Sequence, residues 1–245
     1  MAGLFFPDMN ATRETSREER ILLLGASRGL GYAIAEKYLE LGWRVVATAR
    51  QDSGARLRRL AESSQGRLEV ETVDITDPAQ VTALSSRLAE RKFDILFVNP
   101  GVGNDPRETI ADVSTSEFVR VMVTNALSTM RVVEAFQALV SSGGTIGVMS
   151  SGQGSVANNT NGNFDVYRAS KAALNTLMRS FAARHHDDPR TLLLMAPGWV
   201  RTDLGGPKAT LSIEESIPTL VATMNAQRGK RGLQYLDYLG RTVPW

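Results

Sequence analysis

Short apolar runs alternate with stretches of helical periodicity along nearly the whole chain, and few architectures accept that pattern. The runs are RILLLG at 20–25, WRVVATA at 43–49, RLEVETV at 67–73, FDILFVN at 93–99, GTIGVMS at 144–150 and RTLLLMA at 190–196. Their near-continuous hydrophobicity suits strands buried on both faces of a parallel sheet. Between them, residues 30–41, 54–63, 78–90, 115–140 and 166–184 repeat their apolar positions at helical spacing. Asp77 before Pro78 makes a helix start, because the carboxylate caps free amides and proline suits the first helical position. Ser114 with Glu117 has capping-box spacing and marks another. Most connections are too short to form separate lobes, so an α/β fold is expected over residues 19–245, with a doubly wound parallel sheet and helices on both faces. Residues 1–18 are polar and aperiodic, and are expected to form a flexible arm or a strap.

Composition narrows the chemistry. The chain has no cysteine, and its two histidines, His185 and His186, are adjacent, so disulfides and a zinc site are not expected. The net charge is +2, and Lys and Arg are scattered without a dense run, so nucleic-acid binding is not suggested. No apolar run approaches the ~20 residues of a membrane span, and the acidic opening segment does not read as a secretory signal. A cytoplasmic location is the default expectation.

Directly after the first strand stands Gly25-Ala26-Ser27-Arg28-Gly29-Leu30-Gly31, whose glycines are spaced G-x-x-x-G-x-G and open the first helix. Such a turn brings backbone close to a pyrophosphate and aims helix amides at its charge. At the first strand-to-helix junction of an alternating chain, it points to a single-domain Rossmann fold binding a dinucleotide. The second strand ends Ala47-Thr48-Ala49-Arg50, without the carboxylate that would hold a ribose 2′-hydroxyl and repel a 2′-phosphate. Arg50 offers a planar fork suited to phosphate, and Arg28 can reach the same group, so NADP(H) is preferred over NAD(H). Each arginine taken alone is equally well read as a solvated surface residue.

Tyr167 and Lys171 are four residues apart on a predicted helix, hence on one face. Tyrosine normally ionises near pH 10, too high for acid–base work at neutral pH. An ammonium about 5 Å away favours phenolate by roughly 3 kcal/mol at an effective dielectric near 20, which is about two pH units. Ser150-Ser151 ends the preceding strand at the carboxyl edge, where a hydroxyl can bond a substrate carbonyl. A Tyr packed in a core, a solvated Lys and a serine closing a turn are the ordinary alternatives.

With these residues in order, the chain resembles the short-chain dehydrogenase/reductases from Arg20 onward. The markers are the turn at 25–31, Asp74 in VDIT, Asn99-Pro100-Gly101, Asn125, Ser151, Tyr167-x-x-x-Lys171 and Pro197-Gly198. The resemblance implies that Tyr167 transfers the proton, Ser151 positions the reacting oxygen, Lys171 binds the nicotinamide ribose and lowers the tyrosine pKa, and Asn125 holds a relay water. It also implies cofactor contacts from Gly25, Ser27, Arg28, Gly29, Leu30, Gly31 and Arg50, from Asp74 and Ile75 beside adenine, and from Asn99 and Gly101. Tyr167 and Lys171 would contribute further, as would Pro197, Gly198, Val200 and Thr202. The segments 197–206, 214–216 and 240–245 resemble the C-factor-like and sniffer-like carbonyl reductases, implying an aldehyde or ketone substrate and a homodimer or homotetramer.

Some positions depart from the family pattern. The usual Asn-Asn-Ala-Gly becomes Val98-Asn99-Pro100-Gly101, Leu24 replaces a threonine before the turn, and Ala196 replaces a histidine before Pro-Gly. Ser151 lies 16 residues before Tyr167, more than the usual spacing, so Ser150 stays open as a substitute. Three other functions stay open: an epimerase or dehydratase using a related Tyr–Lys pair, an NADP-binding signalling or redox-sensing protein with little turnover, and a structural subunit that docks a partner through its tail. Residues 152–164 and 205–216 are expected to line the substrate pocket, with Asn158, Asn159, Asn161 and Asn163 either bonding substrate or satisfying their own turns.

Overall fold

In β1 (Arg20–Leu24), Ile21, Leu22, Leu23 and Leu24 are wholly inaccessible, as a strand covered on both faces requires. The computed structural model describes residues 18–245. The expected arm at 1–18 lies outside the described residues except for Glu18, whose carboxylate is paired with Arg44.

Six further strands join β1: β2 (Arg44–Ala49), β3 (Leu68–Thr72), β4 (Phe93–Val98), β5 (Val140–Met149), β6 (Thr191–Ala196) and β7 (Gly232–Asp237). All pair in parallel, in the order β3-β2-β1-β4-β5-β6-β7. The helices are α1 (Gly29–Glu40), α2 (Ala55–Ser63), α3 (Pro78–Arg87), α4 (Thr115–Met122), α5 (Thr129–Phe136), α6 (Asp165–Arg184) and α7 (Ile213–Ala226). One core joins Leu84 of α3, Val132 and Phe136 of α5 and Leu174, Met178 and Phe181 of α6 to one face of the sheet. The other joins Tyr38 of α1, Leu57 of α2 and Leu220 and Met224 of α7 to the opposite face. The chain is a single-domain, doubly wound Rossmann fold. Strand order reverses between β1 and β4, which opens a crevice at their carboxyl ends.

Local chemistry explains several boundaries. Asp77 accepts from the amides of Ala79 and Gln80 at the start of α3, as its position predicted. Ser114 accepts from the amide of Glu117, but the Glu117 carboxylate engages Arg120, so the reciprocal half of that box is not made. A complete capping box stands instead at Ser212 and Glu215, at the start of α7.

The structure departs from the sequence expectation in three places. The helix expected over 115–140 is interrupted by a π turn at Val123–Ser128 and ends at Phe136. β5 begins at Val140 rather than 144, with a register shift against β4 after its Val140–Phe93 pair, where Gly143 and Gly144 supply little side chain to hold register. Neither α7 nor β7 was expected. Pro218 inside α7 reads as a breaker, and GLQYLD in β7 is an edge strand with too mixed a composition to resemble the buried runs.

Candidate active site

The glycine turn links β1 to α1 at the crevice. Gly25 has φ +80°, and a Cβ there would meet the Pro100 ring at 2.6 Å, so the unusual proline packs against this glycine. At Gly31 a Cβ would lie 2.1 Å from the Gly25 carbonyl oxygen, so no side chain fits. The Gly25 amide donates to Thr48 Oγ1 (3.0 Å) and the Asn99 side chain donates to the Gly25 carbonyl (2.8 Å). Thr48, not singled out from the sequence, thus anchors from β2 a turn whose preceding residue is Leu24. The first turn of α1 carries no acidic residue, and its N-cap, Arg28, makes no side-chain capping bond. Its backbone amides are therefore left for an anion.

Around this turn, Arg50 is exposed at the carboxyl end of β2 and pairs with no carboxylate among the described residues. Arg28 instead reaches across the cleft to Asp203 at 2.8 Å, an exposed ion pair. Asp74 Oδ1 accepts from the amide and hydroxyl of Thr76 at 2.9 and 2.7 Å, beside buried Ile75. Beyond β6, the Pro197 carbonyl accepts from Ser216 Oγ (2.6 Å), and Gly198 has φ +83°, a conformation in which glycine is favoured. Val200 is buried, and Thr202 Oγ1 accepts from the Gly205 amide (3.0 Å).

At the carboxyl edge of β5, Ser151 opens a short 3-10 turn, Gly152–Gly154, and α6 brings Tyr167 against it. The Ser151 side chain, whose Oγ accepts from the Gln153 amide at 3.2 Å, lies close enough to the Tyr167 phenol to act on its ionisation. Part of Tyr167 remains accessible, but burial of the phenol pushes its pKa up to about 12, with the Ser151 side chain acting in the opposite direction. Lys171 Nζ lies 5.8 Å from the Tyr167 ring centroid and donates to the Met149 carbonyl at 2.8 Å. Burial lowers the Lys171 pKa to about 8. The phenol is therefore raised rather than depressed, contrary to the expectation from sequence, and burial of the hydroxyl is the main cause.

The two serines have separate roles. Ser150 is buried and donates to Asn175 Oδ1 at 2.6 Å, turned away from Tyr167, so Ser151 is the serine at the phenol. Asn125 lies in the π turn, fully buried. Its Oδ1 accepts from the Val102 amide, and its Nδ2 donates to the Val102 carbonyl and to Ser170 Oγ, at 2.8, 2.8 and 2.9 Å. The side chain is thereby committed to holding the loop after β4, and any relay water would have to use backbone here. Ser170 in turn donates to the Tyr167 carbonyl at 2.7 Å. Gly101 completes the cluster, since a Cβ there would lie 3.4 Å from Lys171 Nζ and 3.7 Å from Asn125 Oδ1. Neither the π turn nor Ser170 carries a sequence signal that periodicity can detect.

The loop asparagines serve their own backbone: Arg168 binds the Asn161 side chain and the Asn163 carbonyl at 2.9 and 2.8 Å, and the Asn158 amide donates to Ser155. On the other rim, Trp199 donates to the Gly205 carbonyl at 2.8 Å, and a Cβ on Gly103 would be 3.0 Å from Leu204. Two open hollows of about 510 and 420 Å³ lie by His185 and His186, the second reaching Arg179 and Trp245, and neither is lined by Ser151, Tyr167 or Lys171.

A family model described as enoyl-(acyl carrier protein) reductase matches residues 25–224, spanning the glycine turn, Ser151, Tyr167 and Lys171 in order. The chain is a short-chain dehydrogenase/reductase. This short-chain dehydrogenase/reductase is 58% identical to a Burkholderia multivorans structure described as a short-chain dehydrogenase/reductase with bound NADP. That match has a TM-score of 0.91 and covers 93% of this chain and 100% of the other. A carbonyl reductase from Pseudomonas aeruginosa PAO1, in complex with NADP, is 37% identical with a TM-score of 0.85, covering 93% and 100%. The C-signal protein of Myxococcus xanthus is 32% identical over 165 residues, 66% of this chain and 99% of that protein. The resemblance to the carbonyl reductase branch, read from the carboxyl half, therefore stands.

Proposed function

We propose that this short-chain dehydrogenase/reductase exchanges hydride between NADP(H) and a carbonyl or alcohol substrate, with Tyr167 as general acid and base. The observation that carries the reading is the Ser151 side chain beside the Tyr167 phenol, with the buried Lys171 Nζ 5.8 Å from the centre of the same ring. All three stand at the carboxyl edge of the sheet, the edge that also carries the turn at 25–31, where Gly25 and Gly31 leave no room for a side chain.

The residues fit a dinucleotide. The uncapped start of α1 and the cradle at Gly25 and Gly31 suit a pyrophosphate, with Ser27, Gly29 and Leu30 completing the turn. Asp74 and Ile75 stand by the adenine end, Asn99 and Gly101 by the crevice, and Pro197, Gly198, Val200 and Thr202 by the nicotinamide end. Arg50 suits a 2′-phosphate. The bound nicotinamide supplies the hydride chemistry. Ser151 donates to the substrate oxygen and aligns it with the Tyr167 hydroxyl. Tyr167 gives its proton to that oxygen during reduction and takes it back during oxidation. Lys171, fixed on the Met149 carbonyl, offers positive charge to the phenolate left after transfer and hydrogen bonds to a ribose.

NADPH oxidation assayed with a panel of ketones and aldehydes tests the reading: turnover in the wild type that Tyr167→Phe abolishes is expected, and equal rates in both sink it. The similarity to C-signal favours a second reading, binding of NADP for signalling with little turnover, which predicts tight NADPH binding and no reduction across the panel. The chain is further proposed to act in the cytoplasm as a homodimer or homotetramer, which light scattering of the purified protein checks for assembly. Among the described residues no helix is long and apolar enough to cross a membrane.

A further inference from the structure

We infer that Tyr235, together with Asn175, is a positioning residue that sets the Ser151 hydroxyl for the substrate oxygen. The inference rests on the reading that Ser151 aligns that oxygen.

The turn that begins at Ser151 is held at both ends by one buried polar group of residues. At its start, the Tyr235 hydroxyl, reaching from edge strand β7, donates to the Ser151 carbonyl. At its end, Asn175 Nδ2, from α6, donates to the Gly154 carbonyl at 3.2 Å. Ser150 Oγ ties the assembly to β5 by donating to Asn175 Oδ1 at 2.6 Å. Tyr235 and Asn175 are only 2% and 3% exposed, so these bonds are shielded from competition by water. The clamp leaves little slack, because a Cβ on Gly154 would lie 2.9 Å from Asn175 Nδ2 and 3.0 Å from Lys171 Cβ.

The same tyrosine carries the next layer. Its ring packs against Trp245 with centroids 5.4 Å apart, and the Arg179 guanidinium lies 4.5 Å from the Trp245 ring. The Trp245 main-chain oxygen accepts from the Ala157 amide at 3.0 Å, just beyond the turn. β7 and the segment after it therefore brace the Ser151 turn from beneath. Ser151 Oγ accepts from the Gln153 amide at 3.2 Å, so the hydroxyl's direction depends on the turn that the clamp holds, and loss of alignment at a reacting centre lowers turnover before it lowers binding.

Tyr235→Phe removes one hydroxyl and keeps the ring. We expect kcat for carbonyl reduction to fall about tenfold, with KM for the carbonyl and Kd for NADPH within about twofold of wild type. In single-turnover measurements at high enzyme concentration, Tyr235→Phe added to Ser151→Ala should change the rate no further, because its effect runs through Ser151. An unchanged kcat in Tyr235→Phe, or the same fold-loss with and without Ser151, overturns the inference. Should Tyr235→Phe melt below the assay temperature, Asn175→Ala, which releases the other end of the turn, carries the same expectations. Tyr167→Phe run in parallel separates the failures: wild-type turnover there sinks the reductase reading. An inactive Tyr167→Phe beside a wild-type Tyr235→Phe sinks only the positioning role.

Discussion

The Lys171 ammonium lies 5.8 Å from the centroid of the Tyr167 ring and is held there by the Met149 carbonyl. Burial moves the two groups in opposite directions, Tyr167 up to about 12 and Lys171 down to about 8, and so draws their proton affinities apart from the order they have in water. The protein by itself thus keeps a neutral phenol, ready to donate, beside a lysine that ionises less readily than usual.

The lysine leaves a mark on stability. Unfolded, it holds its proton to about 10.5; folded, it releases it near 8. Across that interval the unfolded chain binds more protons, so this group makes stability rise with pH between about 8 and 10.5, and its cost is felt in full below 8. Thermal melts of Lys171→Met should lack that rise, and the variant should gain on wild type most at low pH. A parallel pH dependence in both proteins would count against the buried charge.

Replacing Tyr167 with Phe should lower kcat by about 10² to 10⁴-fold, the range for removing a positioned acid. NADPH affinity, followed by fluorescence, should stay within a few fold, because the glycine turn and Lys171 remain. A matching loss of cofactor binding would instead assign the tyrosine a structural part.

Cofactor choice should respond to the two arginines differently. Arg50→Ala should weaken NADPH about tenfold while leaving NADH unchanged, since a charge-assisted phosphate bond contributes on the order of 1.5 kcal/mol. Asp203→Asn frees Arg28 from an exposed pair that adds little to folding, so melting should hold while NADPH binds a few fold tighter at low salt. Titration calorimetry with both cofactors reads each outcome. No change in the NADPH to NADH ratio for Arg50→Ala would remove that residue from the 2′-phosphate.

Gly31→Ala should be among the most damaging small changes. Its methyl group would sit 2.1 Å from the Gly25 carbonyl oxygen, a backbone atom that can move only by opening the turn. Overpacking of this kind costs about 1 to 3 kcal/mol, and NADPH binding should be lost even where the protein stays folded. Retained binding in a well-folded variant would show the turn to be softer than its geometry indicates.

Much of this protein was legible in the order of its residues. The buried runs around Ile21 to Leu24, the capped start at Asp77 and the Tyr167–Lys171 spacing are governed by neighbours a few positions away, and local periodicity reports such constraints directly. The Gly25 to Gly31 turn was readable for the same reason, since positive φ and close backbone approach leave little choice of side chain. What waited for the tertiary structure were relationships between distant segments. The choice of Ser151 over Ser150 depends on which hydroxyl Asn175 takes, 25 residues away from Ser150. The π turn commits Asn125 to Val102, and Tyr235 reaches Ser151 from a strand whose composition did not announce it. The elevated Tyr167 pKa belongs with these, because it reflects burial of the hydroxyl by side chains from distant segments, a property no spacing along the chain encodes.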